Sequence, residues 1–185
     1  MTDVMKNYID WLRDAHAMEQ QAEQMLKAQS SRIEHYPELE ARITQHIQET
    51  QGQRELLESC FERLGEKPSA VKDVMGRLAA FGQAVGGSMA SDEVVKGAMA
   101  GYVFEQLEIA TYTTLIAAAE AAGDAETARV CRGILEQEKE MAQWLYEHLP
   151  SITTQFLARD ADPDAGGADR SAGHFRDHGA AGLHH

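Results

Sequence analysis

Residues 101–115 read GYVFEQLEIATYTTL. The run reads as helix, with Tyr102, Val103, Phe104, Leu107 and Ile109 supplying its apolar side, yet it also carries Glu105 and Glu108. Three residues apart, the two carboxylates share a face on or beside the apolar stripe. An unpaired carboxylate in such a place costs several kcal/mol or gives up its charge, so the stretch predicts a helix whose inner face meets something cationic.

The surrounding chain is helical in the same way. Up to about residue 150 it is rich in Ala, Glu, Gln, Leu and Met, and no segment alternates convincingly with period two. A first helix is expected from about Asp3 to Ile33, with Tyr8, Leu12, Ala15, Glu19, Ala22 and Leu26 at helical spacing, broken by Pro37. A second runs from about Glu38 to Leu64 with Leu39, Ile43, His46, Thr50, Gln53, Leu57 and Cys60 on one face, and Gly65 caps it. A short helical piece is expected over 70–85, followed by a third long helix from about Glu93 to Ala122 capped by Ser91 or Asp92. Gly123 then turns the chain into a fourth, from about Ala125 to His148, ending before Pro150. Two short-turn hairpins joined by a long link describe an all-α, ferritin-like antiparallel four-helix bundle whose crossover holds a short extra helix. Residues 1–157 form this bundle. The remainder, 158–185, is rich in Gly, Asp and Ala, is expected to be disordered, and carries His174, His178, His184 and His185 without a spacing that fixes metal geometry.

The misfit at Glu105 and Glu108 recurs on the other helices. Glu19 lies on the stripe of the first, His46 and Glu49 share a face of the second, and Glu138 sits amid Cys131, Ile134, Leu135, Met141, Ala142 and Leu145 on the fourth. His16 and Glu19 repeat the spacing of His46 and Glu49. Glu19 and Glu49 are 30 residues apart, as are Glu108 and Glu138, and the midpoints Glu34 and Gly123 fall in or beside the expected turns. Glu19 should therefore face Glu49, and Glu105 and Glu108 should face Glu138. Five carboxylates at one level of an apolar core repel one another, and two divalent cations nearly neutralise them. The expected metal ligands are Glu19, His46, Glu49, Glu105, Glu108 and Glu138, with Fe or Mn favoured by the oxygen-rich set and Mg an alternative. Glu108 stands equally for a direct ligand and for a group that holds one, and His46 also reads as a satisfied core histidine. His16 reads as a hydrogen-bond donor beside the site as readily as a ligand. Tyr102 and Tyr112 read as core aromatics or as phenols that hydrogen-bond a carboxylate and relay a proton.

Charge narrows the partners. Thirty acidic against 17 basic residues, net −13, argue against binding to nucleic acid or an anionic membrane surface. There is no leader-like N-terminus and no apolar run near the roughly 18 residues of a membrane span, so a cytoplasmic location is the expectation. Cys60 and Cys131 form no metal or redox motif and read as small buried hydrophobes.

The stretches DWLRDAHAMEQQAEQML, HIQETQGQRELLE, GYVFEQLEIATYTTLIAAAEAAGD and ILEQEKEMAQWL resemble the ferritin-like YciE/YciF stress proteins of bacteria, most closely the YciE branch, over about residues 5–157. The resemblance implies a rubrerythrin-like bundle, usually a homodimer, in a family linked to stress responses. Against the wider ferritin-like pattern, His46 precedes Glu49 where the Glu comes first, Gly52 stands where a His would follow, and Met141 stands three residues after Glu138 in place of another His. Glu105 and Glu108 form the ExxE arrangement of rubrerythrins, and the CxxC pairs of an electron-transfer module are missing. These residues suit a dinuclear site reacting with peroxide or O2. The alternatives are a bundle that holds metal without turnover and a metal-free helical dimer acting as an interaction module.

Overall fold

The computed structural model describes residues 3–68 and 92–161. Among them stand four helices and no strand: α1 Asp3–Ser30, α2 Pro37–Leu64, α3 Glu93–Ala121 and α4 Ala125–Asp160. The fold is the expected all-α four-helix bundle. The expected helix over 70–85 and the tail beyond Ala161 lie outside the described residues.

Local chemistry sets most of the boundaries. At the end of α1 the Ser31 hydroxyl donates to the Ala28 carbonyl at 2.9 Å and the Arg32 N–H to the Gln29 carbonyl at 3.0 Å. These bonds close the helix at Ser30, short of Ile33, and Ile33 and Tyr36 turn inward as buried residues. Tyr36, before a proline, is extended at φ −131°, and Pro37 opens α2 with its ring already at a helical φ. Gly65 at φ +66° and Gly123 at φ +79° end α2 and α3 in the left-handed region that favours glycine. Each is followed by a bond back into the helix, Glu66 N–H to Phe61 O at 2.9 Å and Asp124 N–H to Ala119 O at 2.8 Å. Asp92 stands at the N-cap of α3, but its carboxylate takes the Lys96 ammonium at 2.9 Å rather than a backbone N–H.

The fourth helix departs from its expected end at His148. It runs through Pro150 to Asp160. A proline inside a helix removes one hydrogen bond and crowds the carbonyl four residues back. Packing outweighs that cost here, because Ile152 is buried and Phe156 packs against the same cluster. Beyond the proline, Arg159 lies over the Tyr36 ring, 5.7 Å from its centroid.

α1 packs on α2 and α3, and α4 on α3 and α2. Tyr8 bonds Asp124 at one end of the bundle, and Tyr112 bonds Glu19 nearer its middle, so α1 and α3 are antiparallel. Gln53 meets Gln137 and Arg63 meets Asp124, so α2 and α4 are antiparallel too. The end of α2 and the start of α3, where Glu93 pairs with Arg32 of the first turn, thus lie at opposite ends of the bundle, as in a ferritin-like topology.

The apolar interior is divided. One cluster contains Tyr8, Leu12, Leu57, Phe61, Leu115 and Ile134. The other contains Leu26, Leu39, Ile43, Met141, Leu145 and Ile152. Between them lies a waist of buried polar side chains from all four helices: Glu19, His46, Thr50, Gln53, Glu105, Glu108 and Glu138.

Candidate metal centre

Helical periodicity carries these side chains inward. Glu105 and Glu108 come from one face of α3, Glu138 from the middle of the α4 stripe, and His46 from the inner face of α2 between Ile43 and Gln53. His46, Glu105, Glu108 and Glu138 each offer an atom within 4.8 Å of the others, and all four are buried. His46 Nε2 lies 3.3 Å from Glu105 Oε1 and 3.5 Å from Glu138 Oε2. As ionised carboxylates, Glu105 Oε2, both oxygens of Glu108 and Glu138 Oε2 have no hydrogen-bond donor among the described residues. Four orphaned carboxylate oxygens around one imidazole are a donor set for a divalent cation, and they fit a hard oxygen-binding metal such as Fe or Mn.

Glu19 and Glu49 sit at the margin of this group. Glu19 is fully buried, and Oε1 accepts the Tyr112 hydroxyl. Glu49 turns away: Oε2 meets His46 Nδ1 at 2.8 Å and Arg42 Nη1 at 3.1 Å, while Oε1 accepts from Gln45 at 2.7 Å. The expected facing of Glu19 and Glu49 does not occur. Glu23 lies across from Gln51 and Arg54, and His16 across from Glu58 at 3.0 Å, which sets Glu19 level with a part of α2 beyond Glu49. The turn at 31–36 is not a symmetric hairpin, because Ile33 and Tyr36 fold into the core, so equal counting from Glu34 misplaces the level. The α3–α4 turn at Gly123 is tight, and there Glu108 and Glu138 do meet.

Burial and mutual repulsion govern protonation. Desolvation, followed by the neighbouring carboxylates, holds Glu108 and Glu138 well above the ordinary carboxylate range. Glu19 is raised by burial to about 7 despite the Tyr112 hydrogen bond. Burial alone would lower His46, but Glu105, Glu49 and Glu138 outweigh it and raise the imidazolium to about 10. Glu49 goes the other way: burial opposes its charge, yet His46, Arg42 and Gln45 hold it at about 2. Burial raises the Tyr112 phenol, and the Glu19 charge raises it further, so the hydroxyl keeps its proton and donates it. Without a cation the waist thus keeps protons that a divalent metal would displace.

The remaining residues singled out in the sequence fall outside the cluster. His16 lies on the α1–α2 seam with its ring edge-on to Phe61, 6.0 Å between centroids. Tyr102 packs against Tyr146, 5.9 Å between ring centroids, at the edge of the second apolar cluster. Gln53, by contrast, carries more than its place on the α2 stripe suggests. Its amide nitrogen donates to Glu138 Oε1 and to Gln137 Oε1 at 3.0 Å, orienting the α4 carboxylate. The available signal was its spacing, seven residues after His46 on the same face. Gly52 leaves open space where a side chain would stand, and Met141 is buried in the apolar cluster beside the waist.

Comparison with known proteins agrees with this geometry. The solved structure of a protein from Xanthomonas campestris pv. campestris is 42% identical, over 86% of this chain and 99% of that one, with a TM-score of 0.73. The E. coli stress protein YciF superposes with a TM-score of 0.71 at 23% identity, over 84% of this chain and 99% of that one. A dodecameric thioferritin, the bacterioferritin-related protein of Bacteroides fragilis, gives 0.70 at 20% identity, over 85% of this chain and 92% of that one. At those identities the last two speak for the fold, which is ferritin-like. Residues 3–158 match a family described as a domain of unknown function, and with nearly the whole bundle inside that match the chain belongs to the DUF892 family.

Proposed function

We propose that this chain is a stress-related metalloprotein of the YciE/YciF kind, nearest the YciE branch, that binds divalent Fe or Mn between its two apolar clusters. The observation that carries the proposal is the set of orphaned oxygens on Glu105, Glu108 and Glu138 facing His46. These residues hold one ion. A second, making the site dinuclear, draws on Glu19 and Glu49, which must give up Tyr112 and Arg42 respectively. Magnesium satisfies the carboxylates but gains less from His46 than Fe or Mn does. When bound, a redox-active metal supplies electrons to peroxide or O2. The protein excludes bulk water, orients Glu138 through Gln53, and keeps a proton on Tyr112 beside Glu19.

A second reading, metal held without turnover, is favoured by the enclosure of the site, since none of the four clustered residues is more than 3% exposed. For either reading we propose a homodimer, supported by Met99, Val103 and Leu107, which recur every four residues on α3 and stand 53%, 46% and 38% exposed. A cytoplasmic location is consistent with two free, buried cysteines. Among the described residues no helix is long and apolar enough to cross a membrane.

The test is metal content per chain, by mass spectrometry, of full-length untagged protein purified without chelator, beside a Glu105→Gln, Glu138→Gln double variant. About two Fe or Mn per chain are expected, and the variant, which keeps every tail histidine, loses them. Equal metal in both proteins would contradict the proposal. Peroxide consumption by the loaded protein then separates turnover from storage.

A further inference from the structure

The seam between α2 and α4 is the most thinly packed of the four, and beside the waist it opens into a groove of about 450 Å³. Its lining includes Glu49, Gly52, Gln53, Glu55, Leu56 and Gln137 and, among the described residues, no basic one. At a liquid volume of about 30 Å³ per water, the space accommodates a cation together with its hydration shell. Gly52 holds it open, because a Cβ there would meet nothing within 4 Å. At the inner end stands Gln53, which is 1% exposed and bonded through its amide nitrogen to Glu138, while its carbonyl oxygen has no partner among the described residues.

Resting on the reading of the waist as a metal centre, we propose that this groove is the route by which a hydrated divalent cation reaches the site, with Gln53 as its gate. Glu55 gives the mouth a negative potential that concentrates cations and repels anions, while the charge of Glu49 is met by Arg42 and His46. Glu49 spans both regions: it lines the groove and is bonded to His46 Nδ1. The unpaired Gln53 oxygen is a transient ligand for an incoming ion. As the amide turns to present it, Gln53 releases Glu138 Oε1, and the carboxylate becomes free to take the metal. Gly52, where the wider ferritin-like pattern carries a histidine, is on this view the residue that keeps a passage in place of a ligand.

The test uses Co²⁺, whose visible absorption reports coordination, mixed rapidly with metal-free full-length protein. Gly52→Leu fills the groove and Gly52→Ala does not, while both replace an interior helical glycine and so favour the fold. Co²⁺ uptake by Gly52→Leu is expected to be slower than by Gly52→Ala by at least about tenfold, or about 1.4 kcal/mol on the barrier. Release should slow by the same factor, leaving stoichiometry and dissociation constant unchanged, because a route alters rates and not the equilibrium. Equal uptake rates in the two variants, with a normal Co²⁺ spectrum, would overturn the route alone. A wild-type protein that gives no coordinated Co²⁺ spectrum would overturn the metal centre and the route with it.

Discussion

Glu138 has no exposed surface, one carboxylate oxygen bonded to Gln53 and the other facing His46 without a hydrogen bond. A residue so placed weakens the metal-free bundle, since removing a carboxylate from water costs more than a single amide hydrogen bond returns. Protons lessen that cost in the metal-free state, which makes stability depend on pH. Glu19, raised from its ordinary 4.5 to about 7, keeps a proton in the folded protein that the unfolded chain releases between those values. The folded state then binds more protons, so metal-free stability falls as pH rises from 4.5 through 7, by up to about 3 kcal/mol from this group. His46, raised to about 10, adds a further loss only above its ordinary 6.5, and the depressed Glu49 acts below 4.5, outside the window. Glu108 and Glu138, raised in the same way, add to the fall above pH 4.5. Denaturant midpoints of metal-free protein across pH 4.5–8 should show this decline, and Glu19→Gln should lessen its slope by the share of Glu19 while still accepting the Tyr112 hydroxyl. An unchanged slope in the variant would contradict the burial assigned to Glu19. At this scale much of the site was legible, because Glu105, Glu108 and Glu138 interrupt apolar stripes and the misfit itself is the signal. Glu49 misled because Arg42, one turn before His46, draws its carboxylate outward, a choice of partner that spacing does not encode. Gln53 gives no such signal, because an uncharged amide on a stripe looks like an ordinary buried polar residue.

At the scale of the element, helix starts and stops were readable where a glycine or proline fixes φ, as at Gly65, Gly123 and Pro37. They were less so where tertiary packing decides. α4 passes through Pro150 because Ile152 and Phe156 find apolar partners beyond it, and local rules see the proline but not the partners. The level of Glu19 escapes spacing for a similar reason, since the inward fold of Ile33 and Tyr36 lengthens the turn on one side. The exposed stripe of α3 has a consequence of its own. If Met99, Val103 and Leu107 meet a second copy, Val103→Glu places a charge in that contact. The dimer of the full-length protein should then dissociate at about tenfold higher concentration or more in sedimentation velocity, equivalent to about 1.4 kcal/mol. An unchanged dimer would move the contact elsewhere on the surface, and a monomeric wild type would remove it.

Across the whole molecule, the bundle is two apolar halves joined at an acidic waist, within a chain of net charge −13. Each half is sealed by its own turns: the Tyr8–Asp124–Arg63 contacts tie three segments at one end, and Arg32–Glu93 ties the start of α3 to the first turn at the other. Such a frame keeps four helices in register around a band that would otherwise push them apart. On the proposed reading, a metal ion fulfils the remaining chemistry of that band. The most direct test of that reading is anomalous diffraction above and below the Mn absorption edge from crystals of the full-length protein grown with Mn²⁺. Anomalous density is expected between α2, α3 and α4, within bonding distance of His46 Nε2 and the carboxylates of Glu105, Glu108 and Glu138. Ordered side chains at that position with no anomalous density between them, and manganese only on surface acids or tail histidines, would contradict it.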